Sequence, residues 1–162
     1  MNKPLLVLDT NVVLDLLHFD DATARPLRLA LEDGRVRCVV TDATLAEWRR
    51  VLAYPEFALD PIQQAALFAR YQALAVKADS AGADVGLPPT HYGLKPVWSR
   101  MPRCSDSDDQ KFIELAAAAE AQGLVSKDRA VLKLRRRCAP FFQVMTPVEA
   151  VRWLHDVAGV AA

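Results

Sequence analysis

Cysteine is scarce: Cys38, Cys104 and Cys138 are the only three, an odd number with no paired spacing. That excludes a disulfide framework and a cysteine-based zinc site, and reduced thiols are expected. Histidine is as sparse, and His18, His91 and His155 share no ligand spacing. Although 52% of residues are hydrophobic, no apolar run approaches the ~20 residues of a membrane span. Charge of one sign is not in excess either, with 20 basic and 20 acidic residues, so any nucleic-acid binding must come from locally segregated charge. The start "MNKPLLVLDT" lacks a signal-peptide layout, and the expected location is cytoplasmic. There is no internal repeat and no low-complexity tract.

The 162 residues are enough for one domain to bury a core without metal or disulfide staples. Leu5-Leu6-Val7-Leu8 is a short continuous apolar run ending at Asp9, as expected for a strand buried on both faces of a parallel sheet. Val36 to Val40, Leu124 to Ser126 and Phe142 to Met145 repeat that character, and helical patterns separate the four. Alternation of strand and helix predicts an α/β domain around a central, mostly parallel sheet. Three helix starts read as an N-cap with Glu or Gln three residues on: Asp60 to Gln63, Ser107 to Gln110 and Thr146 to Glu149. From about 81 to 103, Gly82, Gly86, Pro88, Pro89, Gly93, Pro96 and Pro102 mark an irregular connection inside a single domain spanning 1–162. Phe57, Ile62, Leu67, Phe68, Tyr71 and Leu74 are expected in the core.

The acids are the informative residues. In open parallel sheets the functional crevice lies beyond the carboxyl ends of the strands, and Asp9 and Asp128 each follow a strand. Asp106, Asp108 and Asp109 crowd into four positions where a polar loop becomes an apolar helix. One carboxylate there is ordinary, since free N–H groups and the helix dipole favour an anion by roughly 0.3 to 1 kcal/mol. Three exceed that need. With Phe112, Leu115, Ala116 and Ala119 as the buried face, Gln110 points away, whereas Asp108 and Asp109 lie equally near it. Spacing alone does not separate those two. On a helix from about Ala43 with Leu45, Trp48 and Leu52 as its apolar stripe, Glu47 points off the stripe and reads as a solvated side chain pairing with Arg50 or closing a capping box with Thr44.

Four segments, "LLVLDTNVVLDLL", "TDATLAEWRRVL", "CSDSDDQKFIELA" and "GLVSKDRAVL", stand in an order and spacing that resembles PIN-domain ribonucleases. The likeness is greatest to the VapC-like toxins of bacterial type II toxin-antitoxin pairs, and it covers the chain from Leu5 to about Val148. It implies a three-layer α/β/α fold and a cluster of acids that binds Mg²⁺ or Mn²⁺ for RNA phosphodiester hydrolysis. Carried over by motif, the catalytic and metal-binding acids are Asp9, Glu47, Asp109 and Asp128, with Asp106 as a further ligand or outer-shell acid. Asn11 and Ser126 match supporting polar positions. Asp108 is left to favour the helix N-terminus behind Ser107 as N-cap, and Gln110 stands where many relatives have another acid. The resemblance also implies an antitoxin partner, with a second copy of the chain as a further candidate.

Elementary electrostatics gives such a set a purpose. Two carboxylates ~4 Å apart repel by about 4 kcal/mol at an effective dielectric near 20, which a hard divalent ion relieves. Lys127 and Arg129 beside Asp128, and Arg103 before the acidic segment, are candidates for RNA phosphate contacts, as is the run Lys133, Arg135, Arg136 and Arg137. His91, Tyr92, Lys95, Trp98 and Arg100 mix aromatic and basic character that would suit stacked bases. Two alternatives compete. A haloacid-dehalogenase-like phosphatase would need an acid two residues after Asp9, where Asn11 stands, and a PIN fold acting as a non-catalytic binding module would not need every acid. A phospho-receiver domain fits less well, because Glu47 would be idle.

Overall fold

In a computed structural model of the protein, residues 3–78 and 101–158 are described. Most of the 81–103 connection, with His91, Tyr92, Lys95, Trp98 and Arg100, lies outside them. Among the described residues, five parallel strands form the sheet: β1 (Leu5–Leu8), β2 (Arg37–Val40), β3 (Ala75–Lys77), β4 (Gly123–Val125) and β5 (Gln143–Met145). Their order is β3-β2-β1-β4-β5. The chain therefore winds outward from β1 in one direction and returns to add β4 on its other side. β1 and β4 flank the point where winding reverses, the place where such sheets open a crevice at their carboxyl ends.

Because successive side chains on a strand alternate faces, the apolar runs supply two cores. Leu6, Leu8, Cys38, Val40, Val125 and Met145 face one way. There they meet α1 (Thr10–Leu17), α2 (Arg25–Glu32), α3 (Asp42–Leu52), α4 (Pro61–Leu74) and α8 (Pro147–Ala158). Leu5, Val7, Val39, Leu124 and Val144 face the other way, against α5 (Gln110–Ala118), α6 (Arg129–Leu132) and α7 (Arg135–Cys138). The result is the three-layer α/β/α arrangement. The three cysteines are free and buried within it, and no helix among the described residues is long and apolar enough to cross a membrane.

The four apolar runs become β1, β2, β4 and β5; β2 and β5 each start one residue later than expected, and β4 is shifted back by one to begin at Gly123. β3 is the strand with no separate signal: α4 passes into it without Gly or Pro, Ala75 simply turning to extended backbone at φ −104°, ψ 155°. Capping boxes form as expected at Asp60/Gln63 and Thr146/Glu149. The Asp60 box sets the phase of α4, and Ile62 falls on its outward face at 81% exposure rather than in the core. Tyr71 is buried and donor Trp48 Nε1 reaches Leu67 O at 3.3 Å, while Phe57, Leu67, Phe68 and Leu74 pack at the edge of the same core.

α2 ends in a Schellman motif, with Gly34 N–H bonded to Leu31 O (3.2 Å) and Arg35 N–H to Ala30 O (2.9 Å). Gly34 sits at φ +74°, and a Cβ there would lie 3.3 Å from Lys3 Nζ. Gly34→Ala is expected to cost about 1 kcal/mol, measured by denaturant unfolding, because a left-handed residue with a Cβ is strained. An unchanged midpoint would contradict that account of the turn.

Candidate metal centre

β1 delivers Asp9 directly to the switch point, and its N–H continues the sheet by bonding Val125 O at 2.9 Å. Asp9 stands at the N-cap position of α1, yet its side chain makes no capping bond. It turns instead to β4, where Oδ2 accepts from Ser126 Oγ at 2.7 Å. Ser126 is fully buried, and the same hydroxyl accepts from Asp128 N–H at 3.0 Å. One serine thus fixes both strand-end acids. Burial pushes the Asp9 carboxyl up to about 6; the Ser126 hydrogen bond opposes this, and the charges of Glu47 and Asp128 add to it. Asn11 Oδ1 accepts from Lys127 N–H at 3.3 Å, tying α1 to the turn after β4.

The acidic segment folds differently from its sequence pattern. Asp106, not Ser107, is the N-cap: its Oδ1 accepts from Asp108 N–H at 3.0 Å and opens a 3₁₀ turn over Ser107–Asp109. The tighter turn shifts the phase of the helix start. It buries Asp109 at 6% exposure, leaves Asp108 outside, and brings Gln110 inward. Gln110 Oε1 accepts from Cys104 N–H at 2.7 Å and its amide donates to Pro102 O at 3.2 Å, so the outward position expected for it is corrected. The Ser107 to Gln110 box does not form because Gln110 is taken by that loop.

Asp106, Asp109 and Asp128 come together, each offering a carboxylate oxygen within 4.8 Å of the other two. Oδ2 of Asp109 is buried with no hydrogen-bond partner among the described residues. Burial, the contact with Asp128 and the charges of Asp9, Asp128 and Asp106 push the Asp109 carboxyl up to about 8. Asp128 moves the other way, held below the usual carboxylate range by its contact with Asp109 and by Ala130 N–H. The two are best described as sharing a proton at neutral pH. Asp128 also caps α6, Oδ1 accepting from Ala130 N–H at 2.8 Å. A carboxyl with one buried oxygen lacking a donor, clustered with two more carboxylates, fits a divalent cation. Oxygens ~2.1 Å from Mg²⁺ sit at most about 4.2 Å apart, within a small side-chain rotation of the observed spread.

Asp9 and Glu47 lie near this triplet but outside it. Glu47 is buried at 8% exposure, which corrects its expected solvated position. The capping box of α3 is made by Thr41 and Thr44, one turn earlier than expected, so Glu47 is free to bond elsewhere. Its Oε2 accepts from the Thr10 hydroxyl. Its Oε1 lies 2.5 Å from Lys111 Nζ and 3.6 Å from Arg50. Lys111 and the buried Asp15, which holds Lys127 Nζ at 2.8 Å, were not signalled by the sequence. Both are single charges on helices whose partners come from distant segments. Among the basic candidates, Arg103 pairs with Glu114 at 3.5 Å and Arg135 with Glu149 at 2.8 Å, while Arg129 is exposed beside Asp128.

A family model described as PIN domain matches residues 5–130, a span that includes all five of these acids. No curated protein matches the sequence. Among solved structures, the crystal structure of VapBC2 from Rickettsia felis bound to a DNA fragment from their promoter is similar to this chain. The two are 13% identical with a TM-score of 0.55, over 88% of this chain and 98% of that one.

The proton balance of the site gives a stability prediction. The folded-state pKa of Asp109, about 8, lies above its unfolded value, so the fold is favoured at the acid end and loses that contribution as pH rises from about 4 to about 8. In metal-free protein, Asp109→Asn should flatten this decline and raise stability at pH about 8.5 by about 1–3 kcal/mol, the amide donating where the shared proton did. Thermal unfolding across pH checks it. A variant that is less stable at every pH would contradict it.

Proposed function

Since the chain belongs to the PIN-domain family, we propose that it is a divalent-cation-dependent endoribonuclease and the toxin of a toxin-antitoxin pair. The observation that carries this reading is the cluster of Asp106, Asp109 and Asp128 carboxylates, in which Asp109 also keeps one buried oxygen without a partner among the described residues. These three would hold Mg²⁺ or Mn²⁺ directly, with Asp9 on the sheet side completing the acidic wall. All the donors are carboxylate oxygens, which suits a hard cation and disfavours zinc. When bound, such an ion acidifies water and offsets charge building on a phosphodiester.

The protein's own part is to hold these oxygens in place. Ser126 aligns Asp9 with the backbone of Asp128, and the Asp106 cap fixes the turn that carries Asp109. Burial of Asp9 and Asp109 keeps competing water away and strengthens their attraction for a cation. RNA would lie over the exposed side, its phosphates meeting Arg129 and Lys127, the latter anchored by Asp15. The solved Rickettsia felis assembly is a VapBC2 complex on promoter DNA. An antitoxin is the corresponding partner here, and Phe19, Tyr54 and Ile62 offer exposed apolar contacts for one. The phosphatase alternative loses support, because Asn11 has no carboxyl to serve as acid or base and its side-chain oxygen accepts from Lys127 N–H in a tie between α1 and the turn after β4.

Cleavage of single-stranded RNA by the purified chain should require Mg²⁺ or Mn²⁺ and stop in EDTA. Asp109→Asn and Asp128→Asn should each lower the rate by about 100-fold or more with the fold retained, Asp106→Asn by an intermediate factor, and Asp108→Asn by less than about threefold. Equal cleavage in EDTA, or a dead Asp108 variant beside an active Asp109 variant, would refute the assignment.

A further inference from the structure

Apart from Asp9, which takes the Ser126 hydroxyl, the acids divide into two groups by the company they keep. Asp106, Asp109 and Asp128 have one another, and no ion-pair partner for any of them occurs among the described residues. Glu47 is the opposite case. Both of its oxygens are engaged: Oε2 by the Thr10 hydroxyl, Oε1 by Lys111 Nζ at 2.5 Å, with Arg50 at 3.6 Å.

Lys111 is not a swinging surface cation. Its ammonium also donates to the main-chain oxygen of Asp108 and lies 5.1 Å from the Phe112 ring centroid, and its side chain is only 26% exposed. Lys111 follows Asp109 by two residues, so it is carried on the same helix start that presents the triplet. That start is anchored by the Asp106 cap and by Gln110. A cation is therefore built in between Glu47 and the turn that carries Asp109.

We propose that Lys111 is the resident cation of the Glu47 half of the site, so that the chain holds one divalent ion, at Asp106, Asp109 and Asp128, and not two. The inference rests on the metal-dependent reading above. A second ion on the α3 side of the site would draw on Glu47, and Glu47 would first have to give up a short charge-assisted contact in a poorly solvated position, where such contacts are strong. The ammonium supplies one of the positive charges that a second ion would bring, and leaves the triplet, which has none, as the place where an ion binds. Lys111 acts here as a positioning residue for Glu47 and sets the stoichiometry.

The test is the number of Mn²⁺ ions bound by the full chain, counted by electron paramagnetic resonance of free Mn²⁺ in a titration. Wild type should bind one. Lys111→Met, which keeps the length and removes the charge, should bind two, and Lys111→Gln should do the same, so the question does not depend on one variant folding. Lys111→Arg should remain at one, and the double variant Lys111→Met with Glu47→Gln should return to one. Two ions in wild type, or one ion in both folded neutral variants, would overturn the proposal. No Mn²⁺ bound to wild type would instead overturn the metal reading on which it rests.

Discussion

Mutual repulsion of carboxylates at the junction of β1 and β4 is the constraint around which the rest of the molecule is arranged. Asp9 and Asp109 are almost wholly buried, and burial alone raises the free energy of their charged forms. Neighbouring charges add to the cost, at about 4 kcal/mol for a pair ~4 Å apart in an effective dielectric near 20. The protein answers in three ways. It gives Asp9 a hydroxyl from Ser126, it lets Asp109 and Asp128 share a proton, and it gives Glu47 the ammonium of Lys111. None of these leaves a donor on Asp109 Oδ2. The residual cost is carried by the two apolar cores that sandwich the sheet.

The scaffold explains why the acids meet. β1 and β4 are neighbours in register, Leu8 opposite Val125, so Asp9 and Ser126 emerge side by side at the same edge. Asp128 follows after two residues, and the turn that carries Asp109 arrives from the other face of the sheet on α5. Glu47 comes from the layer opposite α5, on α3. Lys111 and Thr10 close the distance between these layers by bonding its two oxygens. The site is thus assembled from both layers and a central strand pair, with short turns after β4 and before α5 carrying the triplet.

Much of this was legible in the sequence, and the exceptions have physical causes. Leu5–Leu8 and its three counterparts read as strands because burial on both faces demands continuous apolar runs. Asp9 and Asp128 could be placed because they end such runs. β3 could not be read, since its three residues are half-buried at an edge and extend the composition of α4. The choice between Asp108 and Asp109 was undecidable from a 100° period because the segment starts as a 3₁₀ turn, capped one residue earlier than the pattern suggested. Gln110 misled for the same reason. Glu47 looked solvated because periodicity counts apolar neighbours, whereas its burial comes from Thr10 and Lys111, polar partners far away in the chain. Its role as a charged residue in the site was carried only by the family likeness.

The central claim is that the repulsion among Asp106, Asp109 and Asp128 is relieved by a divalent cation bound between them. Anomalous diffraction from a crystal of the chain grown with Mn²⁺ tests this most directly. The account predicts a Mn²⁺ peak coordinated by oxygens of all three carboxylates, with Asp109 Oδ2 among them. A crystal saturated with Mn²⁺ that shows no peak there, with Asp109 Oδ2 still unpartnered, would contradict it.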